Sequence, residues 1–385
     1  MSMQQEIVKA FGEKYHKAPK VFFSPGRINL IGEHVDYNDG FVMPAAIDKG
    51  IWFAVAANNS NVINCYSYDM NEELSVAYAD VKPQQGWKNY ILGVVHVMLE
   101  SKMNIGGVDV VFGGNIPVGA GLSSSAAVEC GLAFALNDIF RLGLSRKELA
   151  LMAQKAEHLY PGVKCGIMDQ YASLMGKKDN IIMLDCSSIE HQYIPFHLKE
   201  HTLVLINTKV QHSLASGEYN ARRNECAEGL RFFQSKDKAI SCFRDVTPSL
   251  LQQYKNEMDE TIYNRCSYVV NEIERTRKAS DHLTNDNIEA FGELMYQTHE
   301  GLSKYYEVSC AELDFLVNEA KKNNVTGSRV MGGGFGGCTI NLVKNNVYDT
   351  AVGNIVAAYK KAFGIDADVL QVKASDGVYI VNDES

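Results

Sequence analysis

The chain has no excess of positive charge. Its 37 Lys and Arg are outnumbered by 46 Asp and Glu, giving a net charge of −9. That leaves no basic footprint, so nucleic acid is not an expected partner. A phosphorylated substrate stays open, because local backbone dipoles and a metal can outweigh overall charge. No two of the nine cysteines form a C-x-x-C pair. Their odd number and scattered spacing, as in Cys65, Cys130, Cys165 and Cys186, speak against a disulfide framework or a zinc site. Reduced, mostly buried thiols are expected. No long, clean apolar run exists. The most apolar stretch, Val42 to Ala57, is interrupted by Asp48 and Lys49. The segment Met1 to Lys20 is polar and amphipathic, with no apolar core ahead of a small-residue cleavage site. Neither a membrane span nor a signal peptide is expected, and the expected location is cytoplasmic. Internal repeats and low-complexity tracts are also missing.

What is present is ordinary globular material, 46% hydrophobic and 22% charged. At 385 residues the chain is too long for one ordinary core, so two domains are expected. The break falls near Ile194–His201, giving domains of 1–195 and 196–385. Strand-like runs are Val108–Phe112, Ile181–Leu184, Leu203–Asn207 and Thr339–Val343. Helix-like stretches are Ser123–Arg141, Ser145–Tyr160, Glu218–Phe233, Ile262–Ala279 and Ile288–Glu300. The second opens with a capping box, Ser145 with Glu148, and carries an apolar stripe of Leu149, Met152, Ala153, Ala156 and Leu159. Strands and helices mix without regular alternation, which reads as α+β.

Two glycine clusters stand out. In Asn115–Ala127, Gly119 and Gly121 permit close backbone approach, and Ser123, Ser124 and Ser125 sit at a helix start. Free N–H groups and the helix dipole there suit an anion, and serine hydroxyls can add donors or ligate Mg²⁺. No lysine follows the glycines, so this is not a Walker loop. The second cluster, Gly332–Gly337, formally contains G-x-G-x-x-G but leads into a strand, whereas a dinucleotide fingerprint opens a helix. Five glycines in six residues point to backbone packed against a ligand or against the first loop. A tight strand connection is the alternative.

Two carboxylates are candidates for chemistry. Glu157 lies at the edge of its helix stripe, and Asp169 lies at the start of a short helix, where the dipole favours the ionised form. One could hold a metal while the other accepts a proton. A solvated helix residue and an N-cap are the plain alternatives. The segment Ser24–Asn38 packs Arg27, Glu33, His34 and Asp36 around Leu30 and Ile31. Dense polar groups on an apolar base are what a sugar site requires.

Three motifs, in this order, resemble the galactokinase family of the GHMP kinase superfamily: Pro25–Asn38, Gly119–Ala126 and Gly332–Gly337. Cys165–Gln170 and Ser216–Arg223 also look typical of that family, and the likeness covers nearly the whole chain. Val35 departs from the pattern, where threonine is common. The resemblance implies a two-domain GHMP kinase fold, with an N-terminal domain like domain 2 of ribosomal protein S5 and a ferredoxin-like C-terminal domain. The last strand is expected to pack back on the first domain. It implies phosphorylation of galactose at C1 by ATP with Mg²⁺, the entry step of the Leloir pathway, by a monomer. Asp169 would be the base, with Arg27 holding it ionised. Glu33, His34, Val35, Asp36 and Tyr219 would meet the sugar. Gly119, Ala120, Gly121, Leu122, Ser123, Ser124 and Ser125 would wrap the ATP phosphates, with Ser67 and Trp87 toward adenine. Ser125 and Glu157 would hold Mg²⁺. Two rivals remain, a non-catalytic sugar and ATP sensor and an N-acetylgalactosamine kinase. The sensor's marker is loss of a Ser-Ala pair in the phosphate loop, and Ser125-Ala126 is present here.

Overall fold

A computed structural model describes residues 1–117, 119–211 and 215–381, so Val118 of the first glycine cluster lies outside the described residues. Each half of the chain supplies most of one sheet. The first is six-stranded, in the order Tyr379–Ile380, Lys20–Asn29, Pro44–Ala57, Val108–Gly114, Val62–Ser67, Glu72–Ala77. Its pairings are antiparallel except that of Val62–Ser67 with Val108–Gly114. That parallel pair is bridged by helix Lys88–Glu100, the crossover such a pair needs. The second sheet is four-stranded, in the order Gly327–Val330, Gly336–Lys344, His201–Gln211, Asp368–Gln371. A small third sheet joins Phe41–Val42, Asn180–Asp185 and Glu190–Pro195.

The four strand-like runs and five helix-like stretches read from sequence all form, with bounds shifted by a few residues. The capping box is made on both sides, Ser145 to the Glu148 N–H and Glu148 back to the Ser145 N–H. One stripe residue differs. Leu159 is exposed and Tyr160 is buried in its place, because 3.6-residue periodicity rotates position 159 away from the line of 149, 153 and 156. The nine cysteines are unpaired. Among the described residues, no helix is long and apolar enough to cross a membrane.

The two halves share a core. One apolar cluster runs from Ile28, Leu30 and Ile31 of the first half to Leu205, Ile340 and Leu342 of the second. Burying apolar surface across that seam fixes the two sheets against each other. The last strand closes the tie, with Tyr379 opposite Phe23 and Ile380 opposite Phe22.

Candidate active site

Strand Lys20–Asn29 delivers Arg27 to the seam, where the register to Pro44–Ala57 shifts between Pro25 and Arg27. The chain then leaves the sheet through a tight loop. Gly32 has φ +90°, and a Cβ there would lie 2.4 Å from the Phe41 carbonyl oxygen, so only glycine fits. His34 also adopts positive φ. Arg27 is 4% exposed and grips Asp169 as a fork, with Nε 2.7 Å from Oδ1 and Nη2 2.8 Å from Oδ2. Its remaining nitrogen donates to the Gly121 carbonyl at 2.6 Å. Asp169 stands in the first turn of helix Met168–Met175, where the dipole supports negative charge. The Ser123 hydroxyl donates to the same carboxylate.

Around this pair lies a cavity of about 110 Å³, lined by Arg27, Glu33, His34, Asp36, Glu157, Asp169 and Tyr219, with Val163, Cys165, Met168, Gly332 and Gly333. Gly166 makes room for Asp36, since a Cβ there would sit 1.9 Å from its Oδ2. Burial, and then the nearby Asp169, push Asp36 up to about 7. Burial lowers His34 to about 4, so its ring is neutral near pH 7. The tautomer follows from the partners. Nε2 lies 3.2 Å from the Gly333 carbonyl, which can only accept, so Nε2 carries the proton. Nδ1 then accepts from the Tyr37 hydroxyl at 2.8 Å, and Tyr37 in turn accepts from Tyr306 at 2.8 Å. The Tyr219 ring packs 5.3 Å from that of His34.

A second, larger cavity of about 520 Å³ lies beside the first. Its walls include Ser67, Asp69, Trp87, Tyr90, Phe112, Ser124, Ser125 and Val128. The first glycine cluster turns the chain from strand Val108–Gly114 into helix Ser124–Ile139, with positive φ at Gly119, Gly121 and Ser123. Ser123 occupies the N-cap position in a left-handed backbone conformation and makes no side-chain cap, its hydroxyl turned toward Asp169. The helix N-terminus therefore keeps its donors for an anion. The second glycine cluster packs on the first. Cβ atoms at Gly332 and Gly337 would come within 3.1 and 3.2 Å of the Gly121 and Gly119 carbonyls. Trp87 is fixed by its indole N–H on Glu72, 3.0 Å away.

The two cavities meet at Glu157 and Ser125. Glu157 lines the first, Ser125 lines the second, and Ser125 is near enough to the Glu157 carboxyl to offset part of its upward shift. Burial, and then Asp169, push Glu157 up to about 7. Behind it, the Gln170 amide donates 2.5 Å to Glu157 and 3.2 Å to Glu129. Burial, and then Glu157, raise Glu129 well above the usual carboxyl range.

Residues 9–57 match the galactokinase galactose-binding signature, 89–177 the N-terminal domain of GHMP kinases, and 280–362 the GHMP kinase C-terminal region. The galactokinase of Clostridium perfringens strain SM101 is 38% identical, over 98% of this chain and 98% of its own. That of Fusobacterium nucleatum is also 38% identical, over 97% and 99%. The chain belongs to the galactokinase family. The crystal structure of Lactococcus lactis galactokinase complexed with galactose superposes with a TM-score of 0.94 at 31% identity, covering 99% of this chain and all of that one. Methanococcus jannaschii mevalonate kinase, at 18% identity and a TM-score of 0.66, shares the fold over 93% of this chain and 99% of its own.

Within this galactokinase-family frame, Arg27, Glu33, His34, Asp36, Glu157, Asp169 and Tyr219 converge on one cavity and Ser67, Trp87, Ser124 and Ser125 on the other. Val35 does neither. It is fully buried in the apolar core, because the turn at His34 sends the next side chain away from the cavity. Ala120 and Leu122 are buried in the shared core as well. They and the flanking Gly119 and Gly121 therefore have only backbone to offer a ligand. Sequence reasoning missed Gln170 and Glu129 behind the seam, and Asp69 and Tyr90 in the larger cavity. It also missed Arg329, which is wholly buried against Glu33. An arginine in a short strand that leads into a glycine cluster was the available signal.

Proposed function

We propose that this chain transfers the γ-phosphoryl group of ATP to the C1 hydroxyl of galactose, giving α-D-galactose 1-phosphate and ADP. One observation carries the reading. A small charged cavity and a larger aromatic one meet at Ser125 and Glu157, with the Arg27–Asp169 fork on the charged side. That is the layout phosphoryl transfer needs, since its catalysis is mostly positioning and charge neutralisation. The sugar sits in the first cavity, where Glu33, His34, Asp36 and Tyr219 meet its hydroxyls. Asp169 accepts the C1 hydroxyl proton. The C1 oxygen forms its bond to the γ-phosphorus as the bond to the β,γ-bridging oxygen breaks, and ADP departs with those electrons. Arg27 holds the Asp169 carboxylate in place and faces the negative charge that develops beside it. The backbone of Gly119–Leu122 and the first turn at Ser124 and Ser125 receive the phosphates, and Ser67 and Trp87 border the base.

Ser125 and Glu157 offer a hydroxyl and a carboxylate, hard oxygen donors suited to Mg²⁺, which usually takes one or two protein ligands beside substrate phosphates. Two further features fit a cation there: a carboxyl raised by burial and neighbouring charge, and Gln170 orienting it from behind. When bound with the nucleotide, Mg²⁺ neutralises phosphate charge. Domains of 1–195 and 196–385, a monomer and a cytoplasmic location complete the reading.

The test is ATP consumption by purified protein with Mg²⁺ against galactose, glucose, N-acetylgalactosamine, mevalonate and homoserine, with the product identified by mass and NMR. Galactose 1-phosphate is expected. Calorimetric binding of galactose and ATP without turnover would overturn the kinase in favour of a sensor.

A further inference from the structure

The sugar-reading loop belongs to the first half of the chain and is tied there to Met43 through Leu30 and Ile31, but much of its remaining backbone is satisfied from the second half. Arg329, on strand Gly327–Val330, is 0% exposed. Its Nε donates to the Leu30 carbonyl at 2.9 Å and its Nη2 to the Asn29 carbonyl. Its Nη1 donates to Glu33 Oε2 at 2.6 Å and to its neighbour's Val330 carbonyl at 2.5 Å. Helix Glu260–Thr284 adds two more ties. Glu272, itself fully buried and held by Thr298 at 2.9 Å and by Arg275, accepts the Gly32 N–H at 2.9 Å. The Tyr268 hydroxyl donates to the Glu33 carbonyl at 2.9 Å. Between Asn29 and Glu33, three carbonyls and one amide of the loop are thus claimed by side chains more than two hundred residues away.

Such a loop could not keep its shape alone. Its positive-φ glycine and buried carbonyls need partners, because a buried unpaired polar group costs free energy that water would otherwise supply. Glu33 shows the consequence. Arg329 takes Oε2, and among the described residues no hydrogen-bond partner meets Oε1 on this cavity-lining side chain. The arginine therefore decides which carboxylate oxygen is left for the ligand. A guanidinium can reach several carbonyls and one carboxylate at once in a fixed plane, whereas an ammonium cannot.

We propose that Arg329, with Tyr268 beside it, is a positioning residue for the sugar: the second half of the chain sets galactose affinity by holding the 29–33 loop and one oxygen of Glu33. This rests on galactose being the substrate. A merely structural Arg329 would lower stability and weaken sugar and nucleotide together. A positioning Arg329 weakens the sugar alone, because no Arg329 or Tyr268 atom borders the larger cavity.

The experiment is calorimetry of galactose and, separately, of ATP on Arg329→Lys and Tyr268→Phe, with KM and kcat for both substrates. Arg329→Lys is expected to raise the galactose Kd about tenfold or more, the scale of one lost charge-assisted hydrogen bond. Tyr268→Phe should raise it about threefold, as for a weaker neutral bond. ATP affinity should stay within about twofold in both, and galactose KM should move more than kcat. An unchanged galactose Kd in folded Arg329→Lys, or equal losses for both ligands, overturns the proposal. Should that variant not fold, Tyr268→Phe decides alone, and an unchanged galactose Kd there overturns it too. The unmodified chain separates the two readings: if it binds no galactose, the functional reading has failed, whereas normal binding with insensitive variants fails this inference only.

Discussion

The two cavities are made in different ways. The charged one takes Arg27, Glu33, His34 and Asp36 from one short segment, and its polar groups are tied down by partners from both halves of the chain. The aromatic one draws on several separate elements: Ser67 from a strand, Trp87 and Tyr90 at a helix start, Phe112 from another strand and Ser125 from the next helix. The first recognises by directed hydrogen bonds, where each unpaired group is expensive. The second offers apolar area and ring faces, which tolerate small errors of placement. Substitutions in the first should be severe and ligand-specific, and those in the second milder.

The largest expected effect is at the charged cavity. Asp169→Ala should cut turnover about a thousandfold or more, within the usual range for losing a positioned general base, while ATP binding by calorimetry changes little. Near-normal turnover would remove Asp169 from the base role. Next comes Asp36→Ala. It should raise galactose KM about tenfold to a hundredfold, the scale of hydrogen bonds to a charged group, and leave ATP KM within a few-fold. Equal effects on both substrates would erase the division between the cavities. Trp87→Ala should do the reverse and less, raising ATP KM about tenfold for one lost aromatic wall without moving galactose KM. A galactose effect there would show that the cavities are not separate in function.

The same contrast explains what could be read in advance. The charged cavity was legible because its residues are contiguous: a glutamate, a histidine and an aspartate beside Leu30 and Ile31 need a reason, and a ligand supplies one. The glycine clusters were legible because five glycines in six residues are too costly without close packing, which Gly332 and Gly337 on the Gly121 and Gly119 carbonyls provide. Beyond the return of the last strand to the first domain, which the resemblance implied, packing between distant elements was not legible, and what depends on it was missed. Arg329 reaches a carboxylate 296 positions earlier, and Gln170 matters only because helices Ser124–Ile139 and Arg146–Leu159 bring Glu129 and Glu157 to it. Val35 misled for the opposite reason: contiguity suggested a contact that the backbone turn at His34 takes away.

The smallest effect concerns the unliganded protein and its pH dependence. Asp36 is raised from an ordinary carboxyl value of 3.8 to about 7 by burial and by Asp169. A carboxyl whose folded pKa is raised binds its proton more tightly in the folded state. Its contribution to stability is complete below the unfolded pKa, near 4, and is lost as pH rises through 7. His34, lowered to about 4 by burial, works the other way. Its contribution is complete above the ordinary histidine value, near 6.5, and is lost as pH falls through 4. Between about pH 4 and 6.5 the two therefore oppose each other, and removing one exposes the other. Asp36 keeps some contact with solvent through the cavity, so the full shift does not translate into stability and a change of about 1 kcal/mol, or a few degrees in Tm, is the expected size. The Tm of Asp36→Asn, measured against that of the unmodified chain, should accordingly rise between pH 4 and pH 7. A parallel pair of curves would mean that Asp36 does not bind its proton more tightly in the folded chain.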